Sequence, residues 1–509
     1  MAPCRFARLP GWRRRMVRPT PKPVDAVFVN PSTHGTGLND ATVLPPLGLA
    51  YMAAVLEANN FSCAIIDANV LQLESPDVLS RIPQQARFIG FYMNSFSFRE
   101  VSHLVQLCRR ERPEAVVVVG GPLASASPEM VLNEIPCHGL IRGEGEYATL
   151  RMMENIARGA PAFDPEVSGG VYRDDHNGQT VMNPIERIDD LDQIPFPAYH
   201  LLPPLKTYRA RTRKSPGAAI VTSRGCAHDC IFCSKDIFQR RVTFHSADSV
   251  LADIDRLVNE FGARQIDILD DNFLQKPSRA VKILDGLIER DYGLALNLQS
   301  GIRTEGLDRP FLQKMKQAGV YKLAFGIESA DPNVLEICHK KLDLEKAERA
   351  IRLAKDVGFI VYGFFIIGLP GETDEAFERT MDFARRVDFD VSNFCMATPF
   401  IGTELYRMIE AEGRFLVDMT RNIDMGFYAA QAFYEYRDQT AEDMQQRYRR
   451  AYREFYTFRK KLKIVMSIRS WSELRWFISA VWFVLKGTLR SGSRRAAARQ
   501  GPDHQLGEA

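Results

Sequence analysis

From residue 24 onward, short and almost wholly apolar runs alternate with stretches whose apolar positions recur at helical spacing. The pattern predicts strands at 24–30, 62–67, 88–92, 115–120 and 138–141, and helices at 47–59 and 98–110. Runs as apolar as 115–120 (AVVVVG) belong to a parallel sheet buried on both faces, which makes this region a doubly wound α/β domain. Such domains bind ligands past the carboxyl ends of their strands. That edge gathers Asn30-Pro31-Ser32, Asn94-Ser95, Gly120-Gly121-Pro122 and Gly143-Glu144-Gly145-Glu146. Gly120 and Gly121 fit either a close approach of backbone to a large flat ligand or a tight βα turn.

Residues 159–217 read as a linker, with a hairpin at 169–183 that turns at Asp175-His176-Asn177-Gly178. The X-Pro steps of 190–204 (DLDQIPFPAYHLLPP) keep that stretch extended. A strand and a helix then recur six times. The strands fall at 218–223, 265–270, 295–300, 322–328, 361–368 and 392–399, and the helices at 246–260, 277–290, 308–317, 344–357, 374–386 and 403–411. Six βα units make an open, partial barrel, and its working residues belong at the carboxyl ends of the strands. Polar residues do collect there: Asp270-Asp271-Asn272, then Gln299-Ser300 with Arg303, then Glu328. Glu328 lies between apolar strands and needs a partner.

Beyond 412 the repeat ends. Residues 440–463 are expected as one charged helix with a face on the barrel mouth. In 471–486 (WSELRWFISAVWFVLK) the uncharged run is about ten residues, too short to span a bilayer. It fits an interfacial helix, a lid over an apolar substrate, or a core helix followed by a solvated basic tail. The expected division is a disordered basic arm (1–23), a doubly wound domain (24–158), a linker (159–217), a partial barrel (218–412) and a helical C-terminal region with a basic tail (413–509).

Charge changes this picture little. The net value of +3 is too small to imply a nucleic-acid partner, although basic residues crowd both ends. Arginines and prolines at 5–22 make an arm without the apolar stretch of a signal peptide. The nine cysteines lack paired spacing, which argues against a disulfide framework and for a reducing, cytoplasmic setting.

Six of those cysteines stand alone, whereas Cys226, Cys230 and Cys233 fall within Ser223-Arg224-Gly225-Cys226-Ala227-His228-Asp229-Cys230-Ile231-Phe232-Cys233-Ser234. Three thiolates on one tight loop suit a thiophilic metal, and uneven spacing favours an iron-sulfur cluster. Structural zinc wants a fourth Cys or His nearby. His228 could supply it, but beside Asp229 it is read as facing solvent.

C-x3-C-x2-C with an aromatic before the third Cys resembles the signature of the radical S-adenosylmethionine (SAM) enzymes. In that family three cysteines hold a 4Fe-4S cluster whose fourth iron is open to SAM. The resemblance implies a TIM-like (β/α)6 barrel in which Asp270 and Asp271 meet the SAM amino group. It gives Gln299, Ser300 and Arg303 the SAM carboxylate and ribose. Glu328 receives a ribose hydroxyl or Arg303 as partner. Gly368, in Gly363-Phe364-Phe365-Ile366-Ile367-Gly368-Leu369-Pro370-Gly371-Glu372, and Ala397, in Ala397-Thr398-Pro399, are placed against adenine. The edge segments of the first domain, with Pro45-Pro46-Leu47-Gly48-Leu49-Ala50-Tyr51, resemble a Rossmann-like or flavodoxin-like cobalamin-binding domain. Asn30, Ser32, Leu47, Asn94, Ser95, Gly120, Gly121, Pro122, Gly143 and Glu144 are its expected contacts. The D-x-H-x-x-G motif that brings a histidine to cobalt in many such proteins is absent, and His34 is read as a loop residue.

The resemblance implies that an electron from the cluster cleaves SAM to a 5'-deoxyadenosyl radical, which takes hydrogen from an unactivated carbon. Cobalamin then supplies a methyl group, on a lipid or other secondary metabolite. A net oxidation or ring rearrangement by the same machinery is the alternative, and a non-enzymatic iron-sulfur or zinc protein a second one. Expected partners are a small apolar substrate, an electron donor such as flavodoxin or ferredoxin, and a membrane surface touched by the C-terminal helix.

Overall fold

The computed structural model describes residues 24–33, 43–174, 177–208, 212–298, 300–420, 431–466, 468, 470, 471, 473–475 and 478. The arm 1–23, His34, Asp175 and His176 of the hairpin turn, Gln299, the basic tail from 479 and all of the uncharged run 476–485 except Ile478 lie outside the described residues.

In the first domain β1 (Ala26–Asn30), β2 (Cys63–Asp67), β3 (Phe88–Tyr92), β4 (Val116–Gly120) and β5 (Gly139–Ile141) form a parallel sheet in the order β2-β1-β3-β4-β5. Alternation along each strand divides the core. Val27, Val29, Ile89, Phe91, Val117 and Val119 meet the helix Phe98–Glu111 on one face, while Phe28, Phe88 and Val118 meet Leu49 and Met152 on the other. The hairpin expected in the linker belongs to this sheet instead. Its strands β6 (Gly170–Arg173) and β7 (Thr180–Met182) add antiparallel to β5 and carry the sheet past the expected boundary at 158. The edge of β5 would otherwise be an open template for pairing.

The six expected barrel strands form as β8 (Gly217–Ile220), then, after a short ladder of β9 (Ser223–Arg224) with β10 (Thr243–Phe244), β11 (Gln265–Ile268), β12 (Ala295–Leu298), β13 (Val320–Glu328), β14 (Ile360–Ile367) and β15 (Val391–Met396). All six are parallel, in chain order, and β8 does not close on β15. Helix starts fall where the sequence places short polar caps. Ser246, Asp308, Asp343 and Thr373 each accept the backbone N–H three residues on.

The open edge of β15 is covered by the helix Ala441–Phe455. Its first turn stands at the barrel mouth, where the Met444 side chain packs over Gly368. Its last residues reach the opposite end, where the Tyr456 hydroxyl donates to the Ser392 carbonyl (2.5 Å) and accepts from its N–H (3.1 Å). The single helix expected over 440–463 therefore breaks at Tyr456-Thr457, and a second helix, Phe458–Met466, leaves at the amino end of the barrel, away from the mouth. Among the described residues past 412, β16 (Gly413–Phe415) pairs antiparallel with β17 (Tyr434–Tyr436).

The two domains are joined by a buried ion cluster. Arg224 donates to Glu144 Oε1 and Glu146 Oε1 (both 2.7 Å) and lies 5.1 Å over the Tyr51 ring, with all three charged side chains about 95% buried or more. Burial opposes the Arg224 charge, but Glu146 and Glu144 outweigh it and raise its pKa. Arg187 adds a longer contact to Glu144 (3.4 Å), and the Ile188 N–H donates to the same carboxylate (3.0 Å). Removing only the cation strands two buried carboxylates, so Arg224→Met should cost about 3–5 kcal/mol in urea unfolding. The triple change Arg224→Met, Glu144→Gln, Glu146→Gln should regain most of that loss, and a stable single variant would contradict the assignment.

Candidate active site

The cysteine loop is pinned before any metal enters. The β9–β10 ladder stitches its base, and Gly225 at φ +89° turns where a Cβ would strike the Arg241 carbonyl. The Ile231 N–H donates to the Cys338 carbonyl (3.3 Å) and the Ile231 carbonyl accepts from Leu405 (3.0 Å), so the loop is tied to the exits of β13 and β15. Cys226 is half-buried, Cys230 buried and Cys233 open to solvent on one side. Burial pushes the Cys233 thiol up to about 11, assisted by Asp271, Cys230 and Cys226, which places the three sulfurs and one carboxylate in one another's field. Burial likewise raises Cys230. His228 is half-buried rather than solvent-facing, and burial followed by Arg303 lowers its pKa.

Asp271 opens into the cavity described below and accepts the Gly225 N–H, while burial and neighbouring Asp270 raise its pKa. Asp270 itself turns away. Both its oxygens are taken, by the Thr222 N–H (2.6 Å), the Thr222 hydroxyl (2.5 Å) and the Ser223 hydroxyl (2.6 Å), so it braces the strand that delivers the loop. Ser300 is exposed at the mouth. Arg303 does not meet Glu328: it pairs with Glu305 (2.9 Å) and donates to the Lys341 carbonyl (2.5 Å). The partner Glu328 needed is Lys340, at 2.9 Å, with both side chains nearly buried. Glu328 sits at φ +65° on a bulge of β13, a left-handed conformation costly for a branched-free but full-sized side chain. Gly326 makes room for the pair, since a Cβ there would stand 2.6 Å from Glu328 Oε1. The backbone of Gly368 is also committed, its N–H to Glu372 (3.0 Å) and its carbonyl to the Tyr434 hydroxyl (2.5 Å), and the Ala397 N–H donates to Ile367.

Between the domains lies a cavity of about 540 Å³. Asn30, Leu47, Asn94, Gly120, Gly121, Gly143 and Glu144 reach its wall from the first domain, and Ser223, Arg224, Phe238, Leu269 and Asp271 from the barrel. Ser32, Ser95 and Pro122 do not reach it. Several of the expected polar contacts are engaged elsewhere: Asn30 Nδ2 donates to Asp67 (2.8 Å), Asn94 Oδ1 caps its own turn, and Glu144 serves the ion cluster. Gly121, at φ +116°, is required by its turn, because a Cβ would lie 2.6 Å from the Met93 carbonyl. Gly48 and Gly120 have no such clash and leave backbone open at the wall. No histidine is among the described residues that line the cavity.

Sequence reasoning missed Lys340, whose only signal is a Lys-Lys pair after a short helix, and it missed the joining roles of Arg224, Glu146 and Tyr51 although their motifs were in view. It also passed over Glu372 as a titrating group. Burial lifts this carboxyl from 4.5 to about 7, against the opposing pull of the Gly368 N–H and Arg447. A raised folded-state value contributes stability that is full below pH 4.5 and fades as pH rises through about 7. The variant Glu372→Gln, which keeps the acceptor for Gly368, should flatten that slope. Thermal midpoints of both proteins across this range should converge at the acid end and favour Gln at the neutral end.

Comparison with known proteins agrees with this geometry. Residues 220–384 match the radical SAM superfamily and residues 34–152 the B12 binding domain. The chain is 30% identical to an uncharacterized methyltransferase, PH0819, of Pyrococcus horikoshii, over 82% of this chain and 88% of the relative. It is 28% identical to the anaerobic magnesium-protoporphyrin IX monomethyl ester cyclase of Rubrivivax gelatinosus, over 75% of this chain and 69% of the relative. Among solved structures the cobalamin-dependent SAM radical enzyme OxsB, with aqua-cobalamin bound, shares the fold with a TM-score of 0.69 at 18% identity, covering 92% of this chain and 76% of that one. The cysteine loop, the six-stranded open barrel and the domain stacked on its mouth thus have a common origin: the chain belongs to the radical SAM superfamily, in the branch that carries a B12 binding domain.

Proposed function

We propose that this cobalamin-dependent radical SAM enzyme methylates an unactivated carbon of a small apolar molecule. The observation that carries the reading is the shared cavity, whose two walls come from the B12 binding domain and from the segment of barrel that bears the cysteines. When bound, the cluster with SAM supplies hydrogen-abstracting radical chemistry and cobalamin a transferable methyl group.

Cys226, Cys230 and Cys233 would hold the cluster. Their donor set suits it, since three thiols on a pinned turn offer soft ligands to three irons. The raised thiol values mean that metal must displace protons to bind. Asp271, open to the cavity and close to Cys233, would pair the SAM ammonium, and Ser300, exposed past the end of β12, would serve the SAM carboxylate or ribose. Glu328 acts with Lys340 as one unit beside Cys230 and Cys338. Leu47, Gly48, Gly120 and Gly143 would lie under the corrin, where a mostly apolar wall with open backbone suits a flat macrocycle and excludes water. No histidine stands on that wall among the described residues, and His34 lies outside them.

A flavodoxin or ferredoxin would deliver the electron, and contact with a membrane belongs to the same reading because apolar substrates reside there. Cyclisation is the second reading, favoured by the cyclase relative.

Two measurements test this. After anaerobic reconstitution the enzyme should hold about four irons per chain, Cys226→Ala should lose the associated absorbance, and Cys338→Ala should keep it. Incubation with SAM carrying a labelled methyl group should give labelled product; an unlabelled product would assign the enzyme to the cyclases. Failure to retain corrinoid would remove the cobalamin assignment.

A further inference from the structure

The helix Phe458–Met466 contributes no buried residue to the protein. It is held by its polar side: Lys460 Nζ donates to Asp388 (2.6 Å) and lies 4.5 Å from the centre of the Phe455 ring. Its apolar residues face outward. Phe458 is 83% exposed and Met466 71%, with Leu462 and Val465 half exposed, at the spacing i, i+4, i+7, i+8 that makes one stripe. Past the helix, Trp471 is 77% exposed and Ile478 is exposed as well.

This surface lies at the amino end of the barrel. Asp388 precedes β15, and Glu473, nearly buried, reaches Arg213 just ahead of β8 (4.0 Å). The stripe is bordered by exposed Arg459, Lys461 and Lys463. From Phe458 to the end the sequence holds eleven Lys and Arg against three Asp and Glu, in a chain whose net charge is only +3. The sequence that carries the apolar stripe is thus strongly basic, as is the arm 1–23 at the other end of the chain.

We infer that the helix Phe458–Met466 is a docking surface for an anionic phospholipid bilayer, lying in the interface with its apolar stripe in the acyl boundary and its basic residues at the headgroups. Nucleic acid would use the charge but leave Phe458, Met466 and Trp471 in water. A bilayer uses both, and neither component alone gives firm attachment. Among the described residues no helix is long and apolar enough to cross a membrane. The docking surface also lies at the end of the barrel opposite the cysteines, so it places the enzyme at the surface without occluding the mouth. The inference holds for methylation and for cyclisation alike.

Vesicle flotation of the full chain tests it. The protein should float with phosphatidylcholine vesicles containing about 30% phosphatidylglycerol, much less with phosphatidylcholine alone, and less as salt rises. The pair Leu462→Glu, Val465→Glu should lower partitioning about tenfold or more. Arg459→Glu with Lys461→Glu should remove only the preference for the anionic vesicles. Both pairs should unfold at the wild-type temperature and cleave SAM in solution at the wild-type rate, which separates failure of docking from failure of the catalytic reading. Wild-type protein that stays with neither vesicle, or apolar variants that float as well as wild type, would overturn the inference. So would a dimer dissolved by Leu462→Glu without vesicle binding, which would make a second copy the occupant.

Discussion

The arrangement of this enzyme depends on one buried charge cluster. Arg224 is fixed by Glu144 and Glu146 from the other domain, and Gly225 and Cys226 follow it directly in the chain. Ion pairs of this kind add little net stability, because desolvating the charges offsets most of their attraction. Their value is positional. Two carboxylates at 2.7 Å admit few orientations of a planar guanidinium, and the Tyr51 ring beneath it removes more. The cysteine loop is thereby registered against the B12 binding domain by its own base, and the cavity between them acquires a defined width.

The strand ends follow a similar economy, in which side chains near the mouth are first used to hold one another. Asp270 braces Thr222 and Ser223, Arg303 holds the 340–341 segment, and Lys340 neutralises Glu328 in its left-handed backbone. Strain at Glu328 persists because the β13 bulge, the Gly326 gap and the Lys340 ammonium together leave the carboxylate no better place. Asp271 faces the cavity without serving the ion cluster, and burial, followed by neighbouring Asp270, raises its pKa.

Periodicity made the strands and helices of both domains legible, because fully apolar runs and capped amphipathic stretches are local properties. The cysteine motif was legible for the same reason. What escaped was pairing at a distance. Nothing near Glu328 announces Lys340, and nothing within Gly143-Glu144-Gly145-Glu146 distinguishes a ligand contact from an anchor for Arg224. The β6–β7 hairpin was visible as a hairpin, yet its membership in the first sheet depends on an unpaired β5 edge that sequence does not mark. The helix break at Tyr456 was hidden in a continuous charged pattern; it arises where the Tyr456 hydroxyl reaches the Ser392 backbone at the end of β15.

Pinning of the loop also bears on how a cluster could be assembled there. Burial raises the Cys230 and Cys233 thiols, so ligation by these two must release protons. That cost would be heavier if the loop had also to be ordered at the same moment, at about 1–2 kcal/mol per residue of backbone entropy. The ladder of β9 with β10, the Ile231 contacts to Cys338 and Leu405, and the Gly225 turn fix most of that backbone beforehand. Ordering of the loop is thus done largely by folding and adds little to the cost of metal binding. The same preorganisation explains why Arg224 is placed next to the loop and not further along the chain: a fixed loop is useful only if its base is fixed against the domain it must face.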